Sequence, residues 1–202
     1  MPALPLGASA RYRRSMLKLA VVICSTRPGR AGLPVGQWFL ERARAHGSFD
    51  VALVDLKELA LPQLDEPRHP RLAQYEHDHT KAWSRSVAGF DAFVFVTPEY
   101  NYGMPPALLN ALNYLYVEWH YKAAAFVSYG GVSGGTRSVQ MSKQVLTTLR
   151  VMPLPEAVTI PFVASHLGES GAFQSTESFD KAARTLLDEL HKWSQALAPL
   201  RG

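Results

Sequence analysis

Apolar runs of strand length alternate along the chain with segments whose apolar positions recur every three or four residues. Residues 19–24 are apolar without a break and end in Ser25-Thr26-Arg27-Pro28-Gly29. A run apolar at every position suits a strand covered on both faces, as in a parallel sheet. A helical segment follows, with Val35, Trp38, Phe39 and Arg42 on one side, and it stops near Gly47. Residues 49–56 form a second strand. Residues 60–71 contain Pro62, Pro67 and Pro70 and read as a loop. A helix is expected over 76–89 and a third buried strand over 91–96. Pro105 and Pro106 mark a helix start, where the missing proline N–H is harmless. Leu108, Leu112 and Leu115 line one face of that helix. Residues 123–128 make a fourth strand, ended by Gly130-Gly131, and 136–149 a helix. Residues 158–163 read as a fifth strand, which Pro161 assigns to a sheet edge. The last helix keeps its 3–4 spacing through Phe179, Ala183, Leu186, Leu190, Trp193 and Leu197, as far as Pro199.

Five strands alternating with five helices predict an α/β fold, a doubly wound five-stranded parallel sheet with helices on both faces. Right-handed crossovers make 2-1-3-4-5 the expected strand order. No internal repeat interrupts the pattern, so residues 18–198 read as a single domain. Ligands of such sheets collect beyond the carboxyl ends of the strands, at the switch point between strands 1 and 3.

Composition narrows the function classes. A single cysteine among 202 residues excludes an internal disulfide framework and a Cys-cluster zinc site, and fits a reducing, cytoplasmic setting. No stretch of uncharged apolar residues is long enough to span a membrane. The net charge of +4 raises the question of a nucleic-acid partner. Its placement argues against one. Residues 1–50 hold eight Lys and Arg against two Asp and Glu, and Arg11, Arg13 and Arg14 lie in an aperiodic opening stretch. Residues 1–17 read as a flexible basic leader, with Met16 as a second candidate start. Without those three arginines the balance falls from +4 to +1. The expected partners are therefore small molecules, with neither nucleic acid nor membrane.

The loops at the strand ends carry the chemistry. After strand 1, Ser25, Arg27 and Arg30 precede a helix, and hydroxyl, guanidinium and free backbone N–H groups together suit an anion such as phosphate. The loop lacks the Gly-Lys-Ser/Thr of a Walker A motif, and Gly29 and Gly32 lack dinucleotide-fingerprint spacing. Strand 3 runs into Pro98-Glu99-Tyr100-Asn101-Tyr102-Gly103, where aromatic faces and an amide suit the plane and edge of a heterocycle. Strand 4 ends in Tyr129-Gly130-Gly131-Val132-Ser133-Gly134-Gly135, whose glycines permit close backbone approach to a planar ligand.

In these residues the sequence resembles the NADPH-dependent FMN reductases of the flavodoxin-like superfamily, with their quinone, azo-dye and chromate reductase relatives. The resemblance spans about residues 18–195. It is most specific at Pro98-Glu99-Tyr100-Asn101-Tyr102 with Pro105 and the Leu109-Asn110-Ala111-Leu112 helix. It implies a flavodoxin-like fold, FMN as cofactor and NADPH (or NADH) as hydride donor. It further implies a homodimer or homotetramer, and transfer from the nicotinamide to flavin N5 and on to a small oxidised acceptor. By the same resemblance Ser25 and Arg27 hold the FMN phosphate. Pro98, Glu99, Tyr100, Asn101 and Tyr102 flank the isoalloxazine, and Gly130, Gly131 and Ser133 close its pyrimidine side. One departure stands out. Many members carry a Ser and an Asn further along the phosphate loop, where this chain has Arg30 and Gly32. Two uses for Arg30 stay open: a charge in place of the hydroxyl, or a contact to a nicotinamide cofactor's phosphate. The resemblance names no obligatory catalytic side chain, since the cofactor carries the hard chemistry.

Other readings compete. A flavodoxin-like electron carrier would share the fold, but such carriers are strongly acidic with a Thr-rich phosphate loop. An FMN-free relative would be colourless. Gly131-Val132-Ser133-Gly134-Gly135 matches the letters of a nucleophile elbow, yet a hydrolase leaves the tyrosine loop unexplained. His69, His77, Asp78 and His79 hint at a metal, but on a helix His77 and His79 would point to different sides, so no metal is expected. Cys24 has no evident histidine partner for a catalytic thiol. Trp119 and Tyr121 serve either the core or a neighbouring subunit's site.

Overall fold

The computed structural model describes residues 16–201, so most of the expected leader lies outside the described residues. Five parallel strands form one sheet: β1 (Leu17–Ile23), β2 (Phe49–Asp55), β3 (Ala92–Pro98), β4 (Ala123–Tyr129) and β5 (Met152–Ile160). Their order is β2-β1-β3-β4-β5, as the alternation of elements predicts. The helices are α1 (Gly32–His46), α2 (Leu56–Leu59), α3 (Asp78–Ala88), α4 (Pro106–Asn113), α5 (Thr136–Thr148) and α6 (Glu177–Leu197).

Period-two geometry sorts each central strand's residues between two cores. Leu19, Val21, Val94, Val96, Ala125 and Val127 face one way, against α1 and α6. Ala20, Val22, Phe93, Phe95, Ala124 and Phe126 face the other, against α3, α4 and α5. Both faces are covered, which is why these runs contain no polar positions. The helix ends follow local chemistry. Gly47 takes the left-handed conformation that stops α1 (φ 78°), and the Thr176 side chain accepts a hydrogen bond from the Phe179 N–H to start α6. On α1 the buried stripe is Val35, Trp38, Phe39 and Ala43, while Arg42 lies at its exposed margin.

Two expectations are corrected and one open choice is settled. β5 begins at Met152, six residues before the predicted 158, and ends before Pro161. It is an edge strand nonetheless, and this is why Pro153 and Pro155 are tolerated within it. Its register slips between the partners Ala124 and Phe126, opposite the proline-bearing stretch. His77 and His79 do not diverge: His77 precedes α3 in extended conformation, and the two rings stack with centroids 5.2 Å apart. They close on Asp65, whose carboxylate meets His79 Nε2 at 3.0 Å and accepts from the Tyr114 hydroxyl at 3.0 Å. Finally, Trp119 belongs to the core of this chain, 1% exposed and packed on Trp83 and Phe93. Tyr121 is half-buried, and its hydroxyl accepts from Arg150.

Candidate functional site

The loops following β1, β3 and β4 meet at one edge of the sheet and enclose a cleft of about 270 Å³. Arg27, Pro28, Gly29, Arg30 and Ala31 form one wall. Pro98, Glu99 and Tyr100 form the second, and Tyr129, Gly130 and Val163 the third. This is the switch point, where the chain leaves β1 and β3 in opposite directions along the sheet.

In the first loop Ser25 is buried, at 1% exposure, whereas Arg27 is exposed and leans toward the Tyr100 ring, 5.9 Å from its centroid. Arg30 is turned inward. Its Nη1 donates to Asp55 Oδ1 at 2.7 Å and to the Ser25 carbonyl, and its Nη2 donates to Asp55 Oδ2. A bidentate pair of this kind fixes orientation as well as charge. Arg30 thereby ties the loop to the end of β2. With both side chains nearly buried, at 7% and 12% exposure, Asp55→Asn leaves a charge without its counterpart. That substitution is expected to lower unfolding free energy by about 3 kcal/mol in chemical denaturation, since one partner of a largely buried pair is lost.

In the second loop Tyr100 and Gly103 exchange backbone hydrogen bonds (3.0 and 2.9 Å) around Asn101 and Tyr102, both at positive φ (49° and 67°). This is the backbone of a tight two-residue hairpin, in which asparagine is at ease and tyrosine is strained. The turn lifts Tyr102 clear of the fold at 71% exposure, with the Arg137 guanidinium stacked 3.8 Å from the ring centroid.

Glu99 braces the second loop against the third. Its carboxylate accepts from Ser133 Oγ (3.0 Å), from the Arg137 N–H (3.1 Å) and from Arg137 Nε (2.8 Å). Burial alone would push the carboxyl up, but the Ser133 hydroxyl and the Arg137 donors outweigh it and hold Glu99 below the usual carboxylate range. Glu99 therefore stays ionised at neutral pH and its side chain is committed to the brace, which leaves its backbone for a ligand. The third loop is held to the end of β5 by Gly130 N–H to Ile160 O, Phe162 N–H to Gly131 O and Val163 N–H to Gly130 O.

Among the described residues, two buried hydroxyls beside the cleft, Ser25 Oγ and Tyr129 OH, have no hydrogen-bond partner other than each other. These buried donors together with exposed Arg27 and the start of α1 make a donor set suited to an anion. The residues present thus fit the phosphate of FMN at this end of the cleft. Two participants escape sequence reasoning, Asp55 and Arg137, and Tyr129 stands in the strand-4 loop without a role of its own. Asp55 and Tyr129 are the last residues of β2 and β4, and position at a strand's carboxyl end was the available signal.

The competing chemistries find little support. The Ser133 hydroxyl donates to Glu99, and no histidine is among its partners within the described residues. Burial, and then the charge of Asp55, push the Cys24 thiol well above its usual value, so it is not poised as a thiolate nucleophile. Among the described residues, no three His, Cys, Asp or Glu side chains gather as metal ligands. Nor is any described helix long and apolar enough to cross a membrane.

Comparison with known proteins is consistent with this geometry. The family described as NADPH-dependent FMN reductase matches residues 17–165. An NAD(P)H-dependent FMN reductase of Schizosaccharomyces pombe is 40% identical over 147 residues, covering 71% of this chain and 74% of that protein. An NADPH:quinone oxidoreductase of Arabidopsis thaliana is 32% identical over 117 residues, covering 55% and 54% respectively. Among solved structures, the flavoenzyme NAD(P)H:(acceptor) oxidoreductase FerB of Paracoccus denitrificans superposes with a TM-score of 0.69 at 20% identity. It covers 89% of this chain and 98% of its own, a likeness of fold.

Proposed function

The chain belongs to the NADPH-dependent FMN reductase family, and from that premise we propose that it carries electrons from NAD(P)H to a small oxidised acceptor, with FMN seated in the cleft beyond β1, β3 and β4. The observation that carries this reading is the convergence there of an anion-suited donor set and two loops able to bracket a flat heterocycle. Bound in the cleft, FMN supplies the two-electron chemistry. The chain's own residues bind and orient it.

Ser25 and Arg27 hold the phosphate, with Arg30 keeping their loop in place through Asp55. Backbone groups of Pro98, Glu99, Tyr100, Asn101 and Tyr102 line one side of the ring system, and Gly130, Gly131 and Ser133 line the other. The Glu99 brace fixes the spacing between those two loops. No side chain in the cleft is assigned a proton-transfer duty. Tyr102, Val132 and Phe162 are exposed on these same loops and on the turn after β5, an apolar collar suited to a planar acceptor. Quinones are the acceptors this collar and the quinone-reductase relatives favour, with free flavins and azo compounds as related planar alternatives. Assembly as a homodimer or homotetramer completes the reading.

Reconstitution tests it. Protein stripped of flavin and then incubated with FMN is expected to recover about one FMN per chain after desalting, as a single cleft of this kind requires. Protein that retains no flavin under these conditions would contradict the assignment.

A further inference from the structure

Two side chains beside the cleft present a problem that the fold alone does not solve. Tyr129 closes β4, and its ring packs among the core residues that line α1 and α6. The residue is 5% exposed, Ser25 1%, and apart from each other the two hydroxyls have no partner among the described residues. A buried hydroxyl whose hydrogen-bonding capacity is left partly unfilled destabilises the protein that carries it. Here two sit side by side.

Gly32 shows where they point. A Cβ at Gly32 would stand 2.3 Å from Ser25 Oγ and 2.4 Å from Tyr129 OH. Both oxygens therefore press against the first residue of α1, where a 15-residue helix leaves its first backbone N–H groups unpaired. Exposed Arg27 stands on the same loop, and Tyr129 itself lines the cleft. The site collects donors, and the two hydroxyls meet no acceptor among the described residues other than each other.

We propose that the Tyr129 hydroxyl is a direct donor to the FMN phosphate, acting beside Ser25, so that β4 as well as the loop after β1 recognises the cofactor's anion. This rests on the FMN reading given above and adds to it a residue from a different strand. Burial pushes the phenol far above its usual value, with the neighbouring Ser25 hydroxyl acting the other way, so the group keeps its proton and remains a donor. Because the tyrosine ring is held by the core, the hydroxyl comes preorganised. Gly32 is then required as the residue that leaves room for it.

Tyr129→Phe tests the assignment, because a phosphate donor and a structural hydroxyl move two readouts in different directions. FMN and riboflavin share the ring and ribityl chain and differ in the phosphate. Quenching of flavin fluorescence by the apoprotein is expected to show FMN binding about tenfold weaker in the variant, as for loss of one hydrogen bond to a charged group. Riboflavin binding should be unchanged, and the flavin-free variant should melt at the same temperature as wild type or higher. Ser25→Ala should show the same FMN-selective loss. Wild-type FMN affinity in Tyr129→Phe, or equal losses for FMN and riboflavin, would overturn the proposal while leaving the FMN reading intact. A wild-type protein that binds FMN no better than riboflavin would instead remove the phosphate site itself, and this proposal with it.

Discussion

Replacing Arg27 by alanine is expected to raise the FMN dissociation constant roughly 100-fold, about 2.7 kcal/mol, and to leave the melting temperature of the flavin-free protein unchanged. The two halves of this expectation come from the same geometry. Arg27 is exposed, and its guanidinium lies over the Tyr100 ring, 5.9 Å from the centroid. Little folding energy depends on an exposed cation in that position. Toward a bound phosphate, by contrast, it supplies a charge-assisted contact at a helix start, among the stronger hydrogen bonds a protein makes. Arg30 would behave in the opposite manner. Its guanidinium is engaged by Asp55 and the Ser25 carbonyl, so its removal should register first in stability. Equilibrium titration of each apoprotein with FMN, alongside thermal melts, separates the two arginines.

Gly135→Ala should be among the most damaging single methyl additions in the site. Gly135 sits at φ 87°, and a Cβ there would lie 2.9 Å from both the backbone N and O of Tyr129 and 3.0 Å from Ser128 Cβ. Backbone at the end of a central strand cannot swing aside as a side chain could. The left-handed conformation and the overpacking together cost about 3–4 kcal/mol. Gly131→Ala is the matched control, since nothing lies within 4 Å of its added Cβ and its φ is not positive. Urea denaturation should show a large loss for Gly135→Ala and, for Gly131→Ala, less than about 1 kcal/mol, the range of glycine-to-alanine changes at unstrained positions. Equal effects would mean that the turn after β4 is free to relax.

Much of this architecture was legible in the sequence. The central runs of β1, β3 and β4 (residues 19–23, 92–96 and 123–127) are apolar at every position because both faces of those strands are covered, and that pattern needs no tertiary information to recognise. β5 was harder. Pro153 and Pro155 stand inside it, and only its edge position and the slipped register opposite Ala124 and Phe126 make them acceptable. Pairing partners are not written in local sequence, so its first six residues were missed. The histidines at 77 and 79 differ for a related reason: their spacing puts them on different sides only if both lie within the helix, whereas His77 precedes it in extended conformation.

At the site, residues adjacent in sequence were read well and residues adjacent only in space were not. The three loops were found from their composition, and the structure brings all three to one cleft. Asp55 looked like the end of an ordinary strand until Arg30 was seen folded onto it. Glu99 drew attention as part of a tyrosine-rich loop, but its partners Ser133 and Arg137 arrive from beyond β4. The sequence shows Gly32 only as a departure from the polar residue that many members carry there. In the folded protein, the space beside it is taken by the hydroxyls of Ser25 and Tyr129.

An anaerobic titration with NADPH tests the central claim most directly. FMN-loaded protein should lose its oxidised-flavin absorption band stoichiometrically on addition of about one equivalent of NADPH, as a two-electron donor requires, and should recover it on addition of a quinone. A flavin that stays oxidised in excess NADPH and excess NADH would contradict the account, leaving an FMN-binding protein without reductase activity.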